Sequence, residues 1–334
     1  MRAQSAREQK ERTMSNWNSI VTNIGAGVGG KNGSPFEYAA LEQRLKHMVV
    51  HYADDRIKAV KVGLSDGSEQ TFGNPGSTPF ERIDFAPGER ITELSMWGNG
   101  QGWDDGRAGR IRMTTNRRQT LDVGPGGGRE YQFEVESGLL VGVFGHAGSD
   151  IDWIGFKVLK EIHSSVLTNV TYPDLAEVPL SLEPFQINRE TYENGSTTDQ
   201  TFTLSGEHSK TVSHEWGFSL ATELSISTSV KGGVPKLVET ETGLTWKVGA
   251  EHSYRRKEET KESESFAFSI KAPAATRVVA EATLHRAAID IDFKGTLELT
   301  LVGGEMVALD VDGTYSGVLF RRAGVKVQES PLTP

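Results

Sequence analysis

Gly145-His146-Ala147-Gly148-Ser149-Asp150-Ile151-Asp152-Trp153-Ile154-Gly155-Phe156 is the stretch that decides how the first half of the chain folds. Apolar runs, LLVGVF before it and WIGFKVL through 159, flank a short glycine-led polar loop. That pattern predicts two strands joined by a tight turn. Two earlier segments share the form, MVVHYADDRIKAVKV (48–62) and ITELSMWGNGQGWDDGRAGRIRMTT (91–115). Each of the three has its own glycine turn running into Phe: Gly33-Ser-Pro-Phe36, Gly76-Ser-Thr-Pro-Phe80 and Gly126-Gly-Gly-Arg-Glu-Tyr-Gln-Phe133. Three strand–loop–strand units over 17–160 predict three sheets closing into a prism around one core. Helical periodicity is scarce, and residues 37–46 (EYAALEQRLK) offer little more than a turn of helix.

The composition agrees with an all-β chain. Of 334 residues 37 are Gly and 36% are hydrophobic, which suits short strands and tight turns better than helical bundles. With no Cys, disulfides and thiolate chemistry are excluded. The net charge of -9 forms no basic platform, which argues against a nucleic-acid partner. The opening MRAQSAREQKERTMSNW lacks the apolar core of about 7–15 residues that a secretory signal needs. Residues 1–16 are expected to be a disordered tail, with Met14 an alternative start. No apolar run of about 18 residues predicts a transmembrane helix, so any crossing of a membrane would need strands.

The loops at 29–36 and 148–152 resemble the sugar-binding loops of jacalin-related lectins, and the resemblance extends over about residues 20–160. Gly29-Gly-Lys-Asn-Gly33-Ser-Pro-Phe36 is similar to the family's G-G-N-G-G-S-x-F turn, departing from it at Asn32. Gly148-Ser149-Asp150-Ile151-Asp152 is similar to its G-x-x-x-D loop. The resemblance implies a β-prism I of three Greek-key sheets. It puts a hydroxyl-accepting carboxylate on Asp152 and backbone contacts on Gly33, Ser149, Asp150 and Ile151 around the Gly148 turn. The chemistry is sound: a carboxylate accepts from two neighbouring hydroxyls of a hexose, and charged acceptors make the stronger hydrogen bonds. Glycine lets backbone approach a ring closely. Trp97, Trp103 and the loop 98–106 are placed to border the site; as an alternative they form an ordinary surface loop, and the two sugar loops only close the prism.

Beyond Lys160 the character changes. Pro173, Pro179 and Pro184 space a connector, and 196–230 and 236–305 alternate at unusual length. Trp216, Phe218, Leu220, Leu224, Ile226 and Val230 share one phase, followed by a turn at Gly232-Gly-Val-Pro235; Val238, Leu244, Trp246 and Val248 keep that phase on the return. This predicts a hairpin over 213–255 with one apolar face. Burying that face in lipid is worth at most about 15–20 kcal/mol, but a lone hairpin leaves unpaired edges, so spanning requires oligomers. A water-soluble twisted sheet with one buried face alternates in the same way. Asn194–Phe202, the Gly232–Pro235 turn and Glu264–Pro273 resemble the aerolysin-type pore-forming module over about 185–325. A jacalin-like lectin ahead of such a module resembles the natterin-like and lamprey-immunity-protein group.

The expected architecture is therefore all-β: a jacalin-like lectin domain over 17–160, then an elongated aerolysin-like β module over 161–334. The resemblance implies a protein that binds mannose-type or related hexose glycans. It would form a closed ring of about seven or eight copies and insert a β-barrel into a membrane, as a toxin or in innate immunity. It would start soluble and extracellular by a non-classical route. The alternative is a non-lytic oligomeric lectin whose C-terminal half is an assembly stalk. Gly25-Ala-Gly-Val-Gly-Gly30 fits the dinucleotide motif, but Lys31-Asn-Gly-Ser-Pro35 cannot open the helix that motif needs. No H-E-x-x-H or G-x-S-x-G occurs, and the eight His residues are scattered. No enzymatic activity, metal or cofactor is expected.

Overall fold

The computed structural model describes residues 16–101, 106–241 and 243–332, and the expected tail lies outside them apart from Asn16. Twelve strands form three four-stranded antiparallel sheets. The first joins β1 (Val21–Ile24), β12 (Ile151–Leu159), β11 (Leu140–Ala147) and β2 (Ser34–Ala39) in that order. The second joins β5 (Glu69–Gly73), β4 (Ile57–Leu64), β3 (Leu45–Tyr52) and β6 (Phe80–Asp84). The third joins β9 (Thr120–Val123), β8 (Ala108–Thr115), β7 (Ile91–Gly98) and β10 (Glu130–Phe133). All three share one Greek-key order, so the threefold repeat in the sequence is a threefold repeat of sheets. Residues 37–39, possible helix by composition, belong to β2, where Glu37 and Tyr38 pair with Phe144 and Val143. The inward faces supply one core that includes Met48, Val50, Val60, Ile111, Val143 and Phe156, all at most 0% exposed. Branched and aromatic side chains alternating along short strands give that closure its driving force.

Ten further strands follow: β13 (Ile162–Thr171), β14 (Glu183–Asn194), β15 (Gln200–Gly217), β16 (Ser229–Gly232), β17 (Pro235–Thr240), β18 (Gly243–Val248), β19 (His252–Arg255), β20 (Lys257–Ala272), β21 (Thr276–Leu301) and β22 (Met306–Pro331). They form a sheet ordered β19-β16-β13-β21-β22-β15-β20 with β14 paired to β21, plus the separate β17–β18 hairpin. By packing, the chain divides into two compact units. One contains the prism through Val166 together with 218–228 and 296–310; the other holds 167–217, 229–295 and 311 onward. The second unit has its own core of Leu204, Phe266, Ile270, Ala272, Val278, Ala280 and Ala282. It also holds a buried aromatic cluster of Tyr172, Trp216 and Tyr315, in which Trp216 Nε1 donates to the Tyr172 hydroxyl at 3.2 Å and that hydroxyl donates to Gly233 O at 3.0 Å.

The hairpin expected over 213–255 is built differently. The strand ends at Gly217; a short helix, Ser219–Glu223, follows, and Ser225 takes a left-handed φ of +51°. Leu220 and Leu224 are four apart, so the alternation that suggests a strand equally lines one side of a helical turn. The expected turn at Gly232–Pro235 is also not the reversal: β17 and β18 pair Pro235 with Val248 and Thr240 with Gly243, so the chain turns between Thr240 and Gly243. Trp216, Phe218, Leu220, Leu224, Ile226, Val230 and Trp246 are all buried, Val238 and Leu244 are half-buried, and Val248 is 48% exposed.

His214 sits against the aromatic cluster, its Nδ1 at 2.6 Å from the Tyr315 hydroxyl. Burial pushes its pKa down, against the attraction of Glu258 and Glu262. A depressed folded-state pKa favours the neutral ring, so its contribution is complete above the unfolded value of about 6.5 and is lost as pH falls through the folded value. In urea unfolding of the second unit, the loss of stability between about pH 7.5 and pH 5 should be smaller for His214→Asn than for the wild type.

Candidate functional site

The loops that close each sheet at one end of the prism come in three equivalent pairs. In each sheet the pairing of the two central strands skips one residue next to the loop. His146 opposes Trp153 and Ala147 opposes Ile151, so Asp152 is the bulged residue. His51 opposes Ala59 and Tyr52 opposes Ile57, which leaves Lys58. Trp97 opposes Arg110 and Gly98 opposes Ala108, which leaves Gly109. A bulge re-aims the side chain it carries. Only one of the three equivalent positions carries a carboxylate, and that is Asp152.

The resemblance-derived residues meet around it. Gly29 and Gly33 take left-handed φ values of +115° and +71°, whereas Asn32, the departure from the family turn, does not. A Cβ on Gly33 would lie 2.5 Å from Asp152 Oδ2, and one on Gly29 would overlap the Asp152 carbonyl. The two loops are thus in contact, and glycine is required on both steric and conformational grounds. Gly148 N donates to Asp150 O at 3.0 Å to close the turn, and Asn74 N donates to Ser149 O at 3.0 Å from the neighbouring loop. Ile151 is fully buried in the prism core, backbone included, so the backbone contact expected there is not exposed in this structure.

Asp150 has a different role from its neighbour. It is 5% exposed and accepts from Arg56 at 3.2 Å, from Lys58 and from Arg107, whose Nε also lies 4.0 Å from Asp152 Oδ1. Arg56 is shared with Asp55, whose carboxyl it holds below the ordinary range by a 2.8 Å hydrogen bond. Among the described residues of this cluster, three cations and three carboxylates cancel. What remains is a dense set of donors and acceptors without net charge, suited to a neutral polyhydroxylated ring. Reading the sequence did not single out Arg56, Lys58 or Arg107. The signal was available in the repeat, since Lys58 occupies the bulge position that Asp152 fills. Of the bordering tryptophans, Trp103 lies outside the described residues. Trp97 is half-buried on the outer face of the third sheet, with the Arg110 and Arg112 guanidinium groups 4.9 and 5.2 Å from its ring centre.

Comparison with known proteins points the same way. The family model of the jacalin-like lectin domain matches residues 26–157. The crystal structure of lamprey immune protein is 30% identical, with a TM-score of 0.80, and the match covers 93% of this chain and 99% of that one. This chain belongs to the lamprey immune protein family. Its prism is a jacalin-like lectin domain, a fold that implies carbohydrate binding. Two plant lectins match over 42% of the chain: Malaysian banana lectin at 26% identity and TM-score 0.35, over 99% of its length, and a mannose-binding jacalin-related lectin from Ananas comosus at 23% and 0.37, over 98%.

Asp152→Ala should weaken glycan-array binding by roughly tenfold or more, the effect of losing a charged hydrogen-bond acceptor, while the thermal melt of the prism stays near that of the wild type. Gly33→Ala should weaken binding comparably by pressing on the same carboxylate.

Proposed function

We propose that this chain attaches to membrane glycans bearing mannose or a related hexose and assembles with further copies of itself into a closed ring. Each copy then contributes a hairpin to a transmembrane β-barrel, in defence or as a toxin and without enzymatic chemistry. One observation carries the proposal. β15 and β20 pair without a register shift from Gln200↔Ala272 to Glu215↔Lys257, and the excursion 218–256 lies between them. Continuing that register places Phe218 opposite Tyr254, Leu224 opposite Val248 and Ile226 opposite Trp246, with the reversal near Lys236. Every apolar even-numbered residue of both arms then falls on one face. Gly217, Ser219, Glu223, Ser225, Ser227, Ser229 and Lys231 fall on the other, with Glu239, Thr245, Lys247 and Glu251. Each arm exceeds the ~9–11 residues that a strand needs to cross a bilayer.

The register present in the soluble form does not segregate the faces in this way. β17 and β18 pair Glu239 with Leu244 and Leu237 with Trp246, mixing carboxylate and apolar side chains on one face. The buried Trp246 Nε1 has no hydrogen-bond partner among the described residues, and Ser225 is held at positive φ. Each of these costs of order 1–3 kcal/mol, so the soluble arrangement of 218–256 carries strain that zipping would relieve. A zipped hairpin alone exposes unpaired edges to lipid, hence the ring of about seven or eight copies. Several lectin sites on one ring would also multiply weak glycan affinities. The likeness to lamprey immune protein supports a role in defence.

Because the chain has no Cys, engineered pairs are unambiguous. Ser165 and Thr228 have hydroxyls 3.0 Å apart. Oxidised Ser165→Cys/Thr228→Cys should bind glycan but release no dye from glycan-bearing liposomes until reduced; full release before reduction would sink the proposal. A Ser225→Cys/Lys247→Cys pair, opposite in the zipped register, should crosslink only after membrane contact.

Val248 separates the two faces most cleanly, since it is already exposed in the soluble form. Val248→Arg should block dye release by adding up to about 2–4 kcal/mol per subunit in lipid, and Ser227→Arg, on the lumen side, should leave release largely intact. Equal loss from both would contradict the assigned phase.

A further inference from the structure

Residues 218–228 belong to the same compact unit as the lectin prism; two contacts tie them to the prism and a third to β13. Arg44, immediately before β3, is 5% exposed. Its Nη1 donates to Phe85 O at 2.8 Å and to Leu45 O at 3.3 Å, and its Nε donates to Glu223 Oε2 at 3.0 Å. Two residues on, Ser225 rests on Gly88, a glycine at φ +69° where any Cβ would overlap the Ser225 hydroxyl. At the far end, the Ser165 and Thr228 hydroxyls share a buried hydrogen bond at 3.0 Å. The apolar members Leu220, Ala221 and Leu224 are buried between these points.

Of the three contacts only one is ionic, and its acid stands out in the sequence. Glu223 is the sole charged side chain between Gly217 and Val230. In the zipped hairpin it would face water, where any polar residue would serve; in the soluble form it meets a buried guanidinium. Two carbonyls already fix that guanidinium on the prism, so Arg44 is a preorganised socket rather than a flexible surface partner. A charge-assisted hydrogen bond to a desolvated Arg is among the stronger single side-chain contacts.

We infer that Arg44 and Glu223 form a latch through which the lectin domain holds the first arm of the 213–255 segment in its soluble conformation, so that this contact sets how readily the arm is released. The inference deepens the proposed function and rests on it for its biological meaning, but the latch itself is testable in solution. Hydrogen exchange of the amides of 219–228 in the full-length protein, without membranes, reads the local opening directly. Glu223→Gln keeps the shape of the side chain and removes its charge. It should raise exchange in this segment roughly tenfold or more, the effect of one charge-assisted hydrogen bond, while exchange in β7, β8 and β20 stays unchanged. Glu223→Asp, which withdraws the carboxylate without changing charge, should raise it as well and serves if the Gln variant fails to fold. Unchanged exchange in a folded variant overturns the latch. Dye release from glycan-bearing liposomes then separates the two ideas: an earlier onset in the variants supports the latch as the control on insertion. If neither wild type nor variant releases dye while exchange still rises, the pore reading fails and the latch stands.

Discussion

A chain that folds in water must hide the even-numbered apolar side chains between Trp216 and Val248, and that requirement shapes much of what lies beyond the prism. These residues repeat with a period of two, so a strand presents them all on one face. Such a strand needs either a second apolar layer or lipid to cover it. In this structure neither is used. The chain leaves β15 after Gly217, coils through a helical turn, and returns through short strands whose register mixes polar and apolar faces. Burial of Leu224, Ile226 and Val230 is retained, but strand pairing is given up from Phe218 to Thr228 and resumes only at β16. The result is a segment whose best-segregated pairing is not the one it adopts.

The prism shows how a threefold repeat yields one corner unlike the other two. Three sheets of the same topology each place a bulged residue beside an end loop, and only side-chain identity distinguishes them. Asp152 provides the carboxylate. Lys58, its counterpart in the second sheet, reaches across to pair with Asp150. Arg56 and Arg107, from the loops of the second and third sheets, do the same. The threefold architecture thus lends two of its corners to the electrostatics of the first, leaving Asp150 saturated.

The division of the chain into compact units does not follow the sequence. Residues 218–228 are far from the prism in the chain yet pack as part of it, and the tip of the β21–β22 hairpin does likewise: Val302 N donates to Glu161 O at 3.0 Å, and Asn16 Nδ2 donates to Ala308 O at 2.6 Å. Ion pairs join each excursion to the rest of that unit, Arg44 with Glu223 at 3.0 Å and Lys160 with Glu305 at 3.4 Å.

The sequence by itself determined the all-β class and the threefold prism, because period-two alternation, glycine turns and repeats are local signals; the meeting of the 29–33 and 148–152 loops followed from the resemblance to jacalin-related lectins. It also carried the shared phase of Trp216–Val230 and Val238–Val248. It did not reveal that this segment is a broken strand, since Leu220 and Leu224 satisfy a helical turn and a strand alike, and the choice rests on which surface is available to bury them. Nor could it place Arg44 against Glu223, 179 residues apart, or Arg56, Lys58 and Arg107 around Asp150. Those contacts exist only once sheets distant in sequence have closed on one another, because a buried charge finds its partner through the packing of the whole unit rather than through any neighbour in the chain.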